Sequence, residues 1–163
     1  MTFMATIAKL RERGELIPYK PTLGKREFYD RDLYIVPELK TWFSTVLPTL
    51  VQIDESDIQP KLQVASLLKQ FVTGRQLQKY RQFKRLKPIG RDVWELKSPD
   101  VRIFGWFFRK DFFIAVCADS MERTKVEELY EEYICRALDT RAALDLDEPK
   151  HVAGADYNDV ISD

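Results

Sequence analysis

Lys97 and Arg102 are the two side chains of this sequence whose types and spacing best suit chemistry. Residues 93–97 read as a strand, Ser98-Pro99-Asp100 as a turn, and 101–108 as a second strand. If the loop is the four residues Ser98 to Val101, Lys97 lies directly opposite Arg102. Side chains alternate faces along a strand, so Glu95 and Lys97 then share a face with Arg102, Phe104 and Trp106. Like charges set opposite each other are destabilising, and an anion between them would explain the pair. Phosphate suits the position, because Arg offers a planar fork and Lys a point charge. Phe104 or Trp106 would give a nucleobase a stacking platform on the same face. The bland alternative is a solvated strand end whose long basic side chains point apart.

Arg123 and Lys125, just after the last strand, can join Lys97 and Arg102 around one phosphate, since a rigid sheet aims the residues at its strand ends. The competing reading is that Ser120 caps the final helix and the charges are incidental. Upstream, Arg75, Lys79, Arg81, Lys84, Arg85, Lys87 and Arg91 form a basic run suited to an RNA backbone. The interleaved Leu77, Tyr80, Phe83 and Leu86 leave an ordinary charged helix face open, with Tyr80 and Phe83 as core. His151, the single histidine, sits in an acidic segment and is a poor catalytic base. No GxxxxGK[ST], HExxH or GxSxG motif is present, and no metal or cofactor is expected. Cys117 and Cys135 are too few and too far apart for a disulfide framework or a zinc site.

The net charge of zero hides a strong asymmetry. Residues 59–126 hold 15 Lys and Arg against 6 Asp and Glu, whereas 127–163 hold 3 against 11. The middle is as basic as many phosphate-binding surfaces. The acidic end can fold over the basic face and imitate nucleic acid. No apolar run is long enough to cross a bilayer and no secretory signal is apparent, so a cytoplasmic protein with reduced thiols is expected.

The elements that must position these side chains follow from periodicity and breakers. Residues 1–27 read as an appendage: one short helix stopped by Gly14, then Pro18, Pro21 and Gly24. A strand over 31–36 runs into a helix opened by Pro37 and ended at Pro48. A polar connection over 54–60 leads to a second helix from Lys61 to Gly74. Strands over 93–97, 101–108 and 112–118 make an antiparallel meander, followed by a helix carrying Val126, Leu129, Tyr130, Tyr133, Ile134 and Ala137. The tail from Leu138 reads as mobile. The expected class is therefore α+β: a three-stranded meander plus an N-terminal strand, a helical hairpin on one face and a C-terminal helix.

The segment FKRLKPIGRDVWELKSPDVRIFGWFFRKDFFIAV (83–116) resembles the RelE/HigB-like toxins, whose core reads Leu-Lys-Pro-Leu-Gly, Trp-Glu-Leu-Arg/Lys and Arg-Ile-Phe. Leu33-Tyr34-Ile35-Val36-Pro37-Glu38 and its two helices are similar to the family's opening strand and helical hairpin, so that the resemblance spans about 31–137 of a toxin domain at 28–137. It implies a toxin of a toxin–antitoxin pair that enters the ribosome and cuts mRNA without a metal, neutralised by a cognate antitoxin. The family's strand Lys/Arg falls on Lys97, the arginine of its Arg-Ile-Phe strand on Arg102, and its later basic residues on Arg123 and Lys125; a tyrosine used nearby falls on Tyr130. Lys84, Arg85, Lys87, Arg91 and Trp106 would hold the RNA. Two rivals share the fold: a ParE-like toxin that poisons gyrase, and a module that binds RNA or protein without chemistry.

Overall fold

The computed structural model describes residues 3–53, 57–154 and 156–162. Part of the polar connection expected over 54–60 therefore lies outside the described residues. The strands are β1 (Ile17–Pro18), β2 (Asp32–Ile35), β3 (Phe83–Arg85), β4 (Trp94–Lys97), β5 (Val101–Arg109) and β6 (Phe112–Ser120). The helices are α1 (Phe3–Glu12), α2 (Pro37–Thr45), α3 (Pro60–Val72), α4 (Met121–Val126) and α5 (Tyr130–Ala143). The class is α+β, with one mixed sheet in the order β1-β2-β6-β5-β4-β3. Of the pairings between these strands, β2–β6 is parallel and the other four are antiparallel.

The expected meander is present as β4, β5 and β6, but the sheet is larger than the sequence reading allowed. Ile17 pairs with Ile35 in spite of the nearby breakers. The basic run over 75–87 is not a helix. It turns at Tyr80, whose φ of 66° reverses the chain, and Phe83, Lys84 and Arg85 then pair with Leu96, Glu95 and Trp94. Burial of Phe83 against the Trp94 ring, with centroids 6.0 Å apart, holds that strand in place.

Helices on one face alone do not describe the molecule. β5 and β6 are buried along almost their whole length, so both sheet faces need cover. Phe71 of α3 packs on Phe107 and Phe113. Tyr133 of α5 packs on Phe104, which alternation puts on the opposite face from Phe107. The two central helices also diverge: α2 lies along β6, while α3 bears on β2 and β5. The nominal appendage supplies Ile7, Leu10 and Leu16 to the core.

The acidic C-terminal segment is packed against the body and does not trail from it. Trp106 Nε1 donates to Lys150 O at 2.8 Å, Arg109 donates to Pro149 O, and Val152 N donates to Phe107 O. Further on, Tyr157 packs edge-on against Phe83 and Trp94, Val160 and Ile161 are buried, and Ser162 bonds to Asp111. One carboxylate of the acidic end pairs with the basic run, Glu131 with Arg91 at 2.7 Å. Arg85 and Arg109 donate to the carbonyls of Gly154 and Pro149 in that segment.

Asp100 fixes the turn between β4 and β5. Gln63 Nε2 donates to its carboxylate at 2.8 Å, and Asp100 N donates to Gln63 Oε1 at 2.9 Å. Met121 N, at the start of α4, donates to Asp100 O. Midway along β5, Gly105 faces the Ile114 carbonyl so closely that a Cβ would lie 2.0 Å from it, so no larger residue fits there.

Two outcomes follow. Asp100→Ala removes the carboxylate acceptor of the buried Gln63 Nε2, which keeps only its bond to Ile58 O, and should cost about 1–3 kcal/mol in urea unfolding. A chain ended after Ala143 loses the buried Leu144, Leu146, Val160 and Ile161. At about 1.5–3 kcal/mol per large apolar side chain this rivals the whole stability of a domain. Such a chain should show no cooperative thermal transition by circular dichroism.

Candidate functional site

Lys97 and Arg102 are register partners, as the four-residue loop requires. Glu95 pairs with Phe104 on β5 and with Lys84 on β3, so Lys84, Glu95, Lys97 and Arg102 share one face across three strands. α5 crosses that face, with Tyr130 set edge-on to Phe104 at 5.7 Å. Lys125, on α4, completes the group: the charges of Arg102, Lys97, Lys84 and Lys125 all act on Glu95. One carboxylate thus lies among four cations.

The members differ in access. Glu95 is 1% exposed and Arg102 6%. Lys84 and Lys97 are half-buried, and Lys125 is open to solvent. The Arg102 guanidinium turns toward the hairpin and donates from Nη1 to the carbonyls of Ser98 (2.5 Å) and Val101 (3.2 Å). Its Nε and the Oε2 of Glu95 are buried without a partner. Lys97 Nζ reaches the carbonyl of Tyr80 at 2.9 Å. The Tyr130 hydroxyl interacts with both the Glu95 and the Arg102 side chains, and the two buried polar atoms left over give the site capacity for a polar ligand.

Burial pushes the Glu95 carboxyl above the usual range, and the four cations oppose that without cancelling it. Burial also lowers the Lys97 ammonium, helped by the neighbouring Arg102, Lys84 and Lys125 and resisted by Glu95. The Tyr130 phenol is raised, first by burial and then by Glu95, with Arg102 opposing. An acid shifted up beside a lysine shifted down is the pattern of groups suited to proton transfer.

Other predicted site residues lie elsewhere. Trp106 is fully buried beneath residue 150 and offers no face to a base, because β5 is covered on both sides. Phe104 is sealed for the same reason. Arg123 is exposed but turns to Glu127 (2.9 Å) and Asp119 (3.6 Å), while Ser120 caps α4 through Arg123 N. Arg85 projects to the face opposite Lys84 and donates to Gly154 O. Arg91 pairs with Glu131 at 2.7 Å. Lys87 is exposed at the turn before β4. Sequence reasoning placed Lys84 with the RNA-binding run and Tyr130 on the apolar stripe of the last helix, at the position the resemblance gives to a family tyrosine. Only the pairing of β3 with β4 brings Lys84 to Glu95, and a basic run carries no sign of that pairing.

Comparison with protein-family models, with curated proteins and with solved structures finds no significant match. Among the described residues no helix is long and apolar enough to cross a membrane.

The Glu95 shift has a direct consequence for stability. A carboxyl raised on folding favours the native state at low pH and loses that contribution as pH rises through its folded value. Glu95→Gln should therefore melt above the wild type at about pH 8, and the gap should close below the usual carboxylate value of about 4.3. Calorimetry across that range tests it.

Proposed function

We propose that this protein is the toxin of a toxin–antitoxin pair, an endoribonuclease that cuts mRNA on the ribosome and arrests translation. The observation that carries the reading is the buried Glu95 carboxylate among Lys84, Lys97, Arg102 and Lys125, with unpaired atoms on both Glu95 and Arg102. The resemblance of the Trp-Glu-Leu-Lys and Arg-Ile-Phe strands supports it.

RNA can be cleaved by its own 2′-hydroxyl. In this reading Glu95 takes the 2′-proton, and the oxygen attacks the adjacent phosphorus. The P–O5′ bond breaks, leaving a 2′,3′-cyclic phosphate and a 5′-hydroxyl. Arg102 and Lys84 stabilise the added negative charge, and Lys97 supplies a proton to the departing 5′-oxygen. A raised carboxyl and a lowered ammonium both bring the proton exchange closer to neutral pH. Tyr130 covers the pair in the free protein, so the phosphate reaches Arg102 only as the start of α5 yields. Arg123, engaged by two carboxylates, contributes little.

The burial of Glu95 and Arg102 also favours a second reading, in which the exposed lysines bind RNA without cutting it. Mapping mRNA ends on translating ribosomes separates the two. Arg102→Ala should lower cleavage by roughly 10²–10³-fold, and Glu95→Gln by roughly 10²–10⁴-fold. Wild-type protein that binds RNA but leaves no new ends would reject the enzyme. DNA breaks without RNA cuts would point to a gyrase poison.

A further inference from the structure

With Trp106 and Phe104 sealed, any base that accompanies the phosphate needs another platform. Tyr80 is that platform by position. Its ring is 66% exposed, although its backbone holds a left-handed φ of 66° that a tyrosine rarely adopts. Two contacts keep the residue there. Tyr80 N donates to Phe83 O at 2.8 Å, and the Tyr80 carbonyl accepts from Lys97 Nζ at 2.9 Å. The same residue thus touches a lysine of the cationic cluster and presents an open aromatic ring.

The ring is also braced. Its centroid lies 5.3 Å from that of Tyr157, which packs edge-on against Phe83 at 4.8 Å and Trp94 at 5.2 Å. Lys79 Nζ lies 5.4 Å from the Tyr157 ring. Beside this aromatic row, on the sheet face opposite the Glu95 cluster and around the edge that Tyr80 marks, opens a cleft of about 550 Å³, lined in part by Gln76, Gln78, Lys79, Tyr157 and Asn158. Side-chain amides donate and accept, as the edge of a nucleobase requires, and stacking on tyrosine accepts any base.

We infer that Tyr80 stacks an unpaired nucleobase of single-stranded RNA whose backbone phosphate is held at Lys97, with the base edge turned toward the amide-lined cleft. The inference rests on the RNA reading above and narrows its substrate to a strand with a splayed base. A paired duplex keeps its bases stacked on one another and cannot use the ring.

The test uses a short single-stranded 2′-O-methyl RNA, which the protein cannot cleave, carrying one 2-aminopurine moved along its length. Wild-type protein should bind it and quench the fluorophore at one preferred position. Tyr80→Gly removes the ring and accepts the left-handed backbone, so the turn is kept. It should weaken binding by roughly 5- to 100-fold and abolish the positional quench, whereas Tyr80→Phe should stay within about twofold. Tyr80→Gly protein that binds and quenches like the wild type overturns the inference. If Lys97→Gln weakens binding while Tyr80→Gly does not, the stacking role alone is lost. If neither the wild type nor any variant binds the RNA, the RNA reading falls and this inference with it.

Discussion

The reciprocal bond between Asp100 and Gln63 is the constraint on which the rest of the site depends. It ties the β4–β5 turn to α3 through two buried hydrogen bonds, and the Asp100 carbonyl holds the first residue of α4. A hairpin shifted by one residue would turn every side chain of β5 to the other face. Arg102 would then leave Glu95 and point among the packed rings of Phe71 and Trp94. The polar turn therefore decides which charges meet on the sheet, and α4, whose first amide is bound to the Asp100 carbonyl, carries Lys125 toward the same place.

Much of this was legible in the residues. The Ser-Pro-Asp turn between two runs of β-formers was enough to set Lys97 against Arg102. Pro37 opens its helix at the first position, as its place before Glu38 suggested, while α3 starts at Pro60, one residue before the expected Lys61. What escaped was what depends on long-range pairing. β3 lies in a run of charges with no alternation, and β1 spans two residues among breakers, so neither carries a local strand signal. The burial of Trp106 was foreshadowed in the near-continuous apolar run of β5, since a strand covered on both faces loses its polar alternation. The acidic tail misled because few of its residues are apolar, yet those few are placed where the sheet end lacks cover. Composition averages over the segment and misses the position of Tyr157, Val160 and Ile161.

The charge asymmetry resolves into two different uses. In the basic middle, part of the charge is taken up locally: Arg91 meets Glu131, and Arg85 meets a carbonyl. Four others, Lys84, Lys97, Arg102 and Lys125, act together on the buried Glu95. In the acidic segment the backbone makes most of the joins, so the carboxylates there chiefly face water. The chain is neutral as a whole and polarised by region, which lets a cationic face exist without long-range self-repulsion.

The margins of the sheet carry a consequence of their own. On one flank β1 is two residues long and ends in Pro18, which has no amide hydrogen to offer. On the other, Tyr80 N occupies the Phe83 carbonyl, and Tyr157 meets the Arg85 backbone. Neither flank gives a foreign chain a ladder to extend. Crowded copies of the protein are thereby hindered from fusing edge to edge into fibrils.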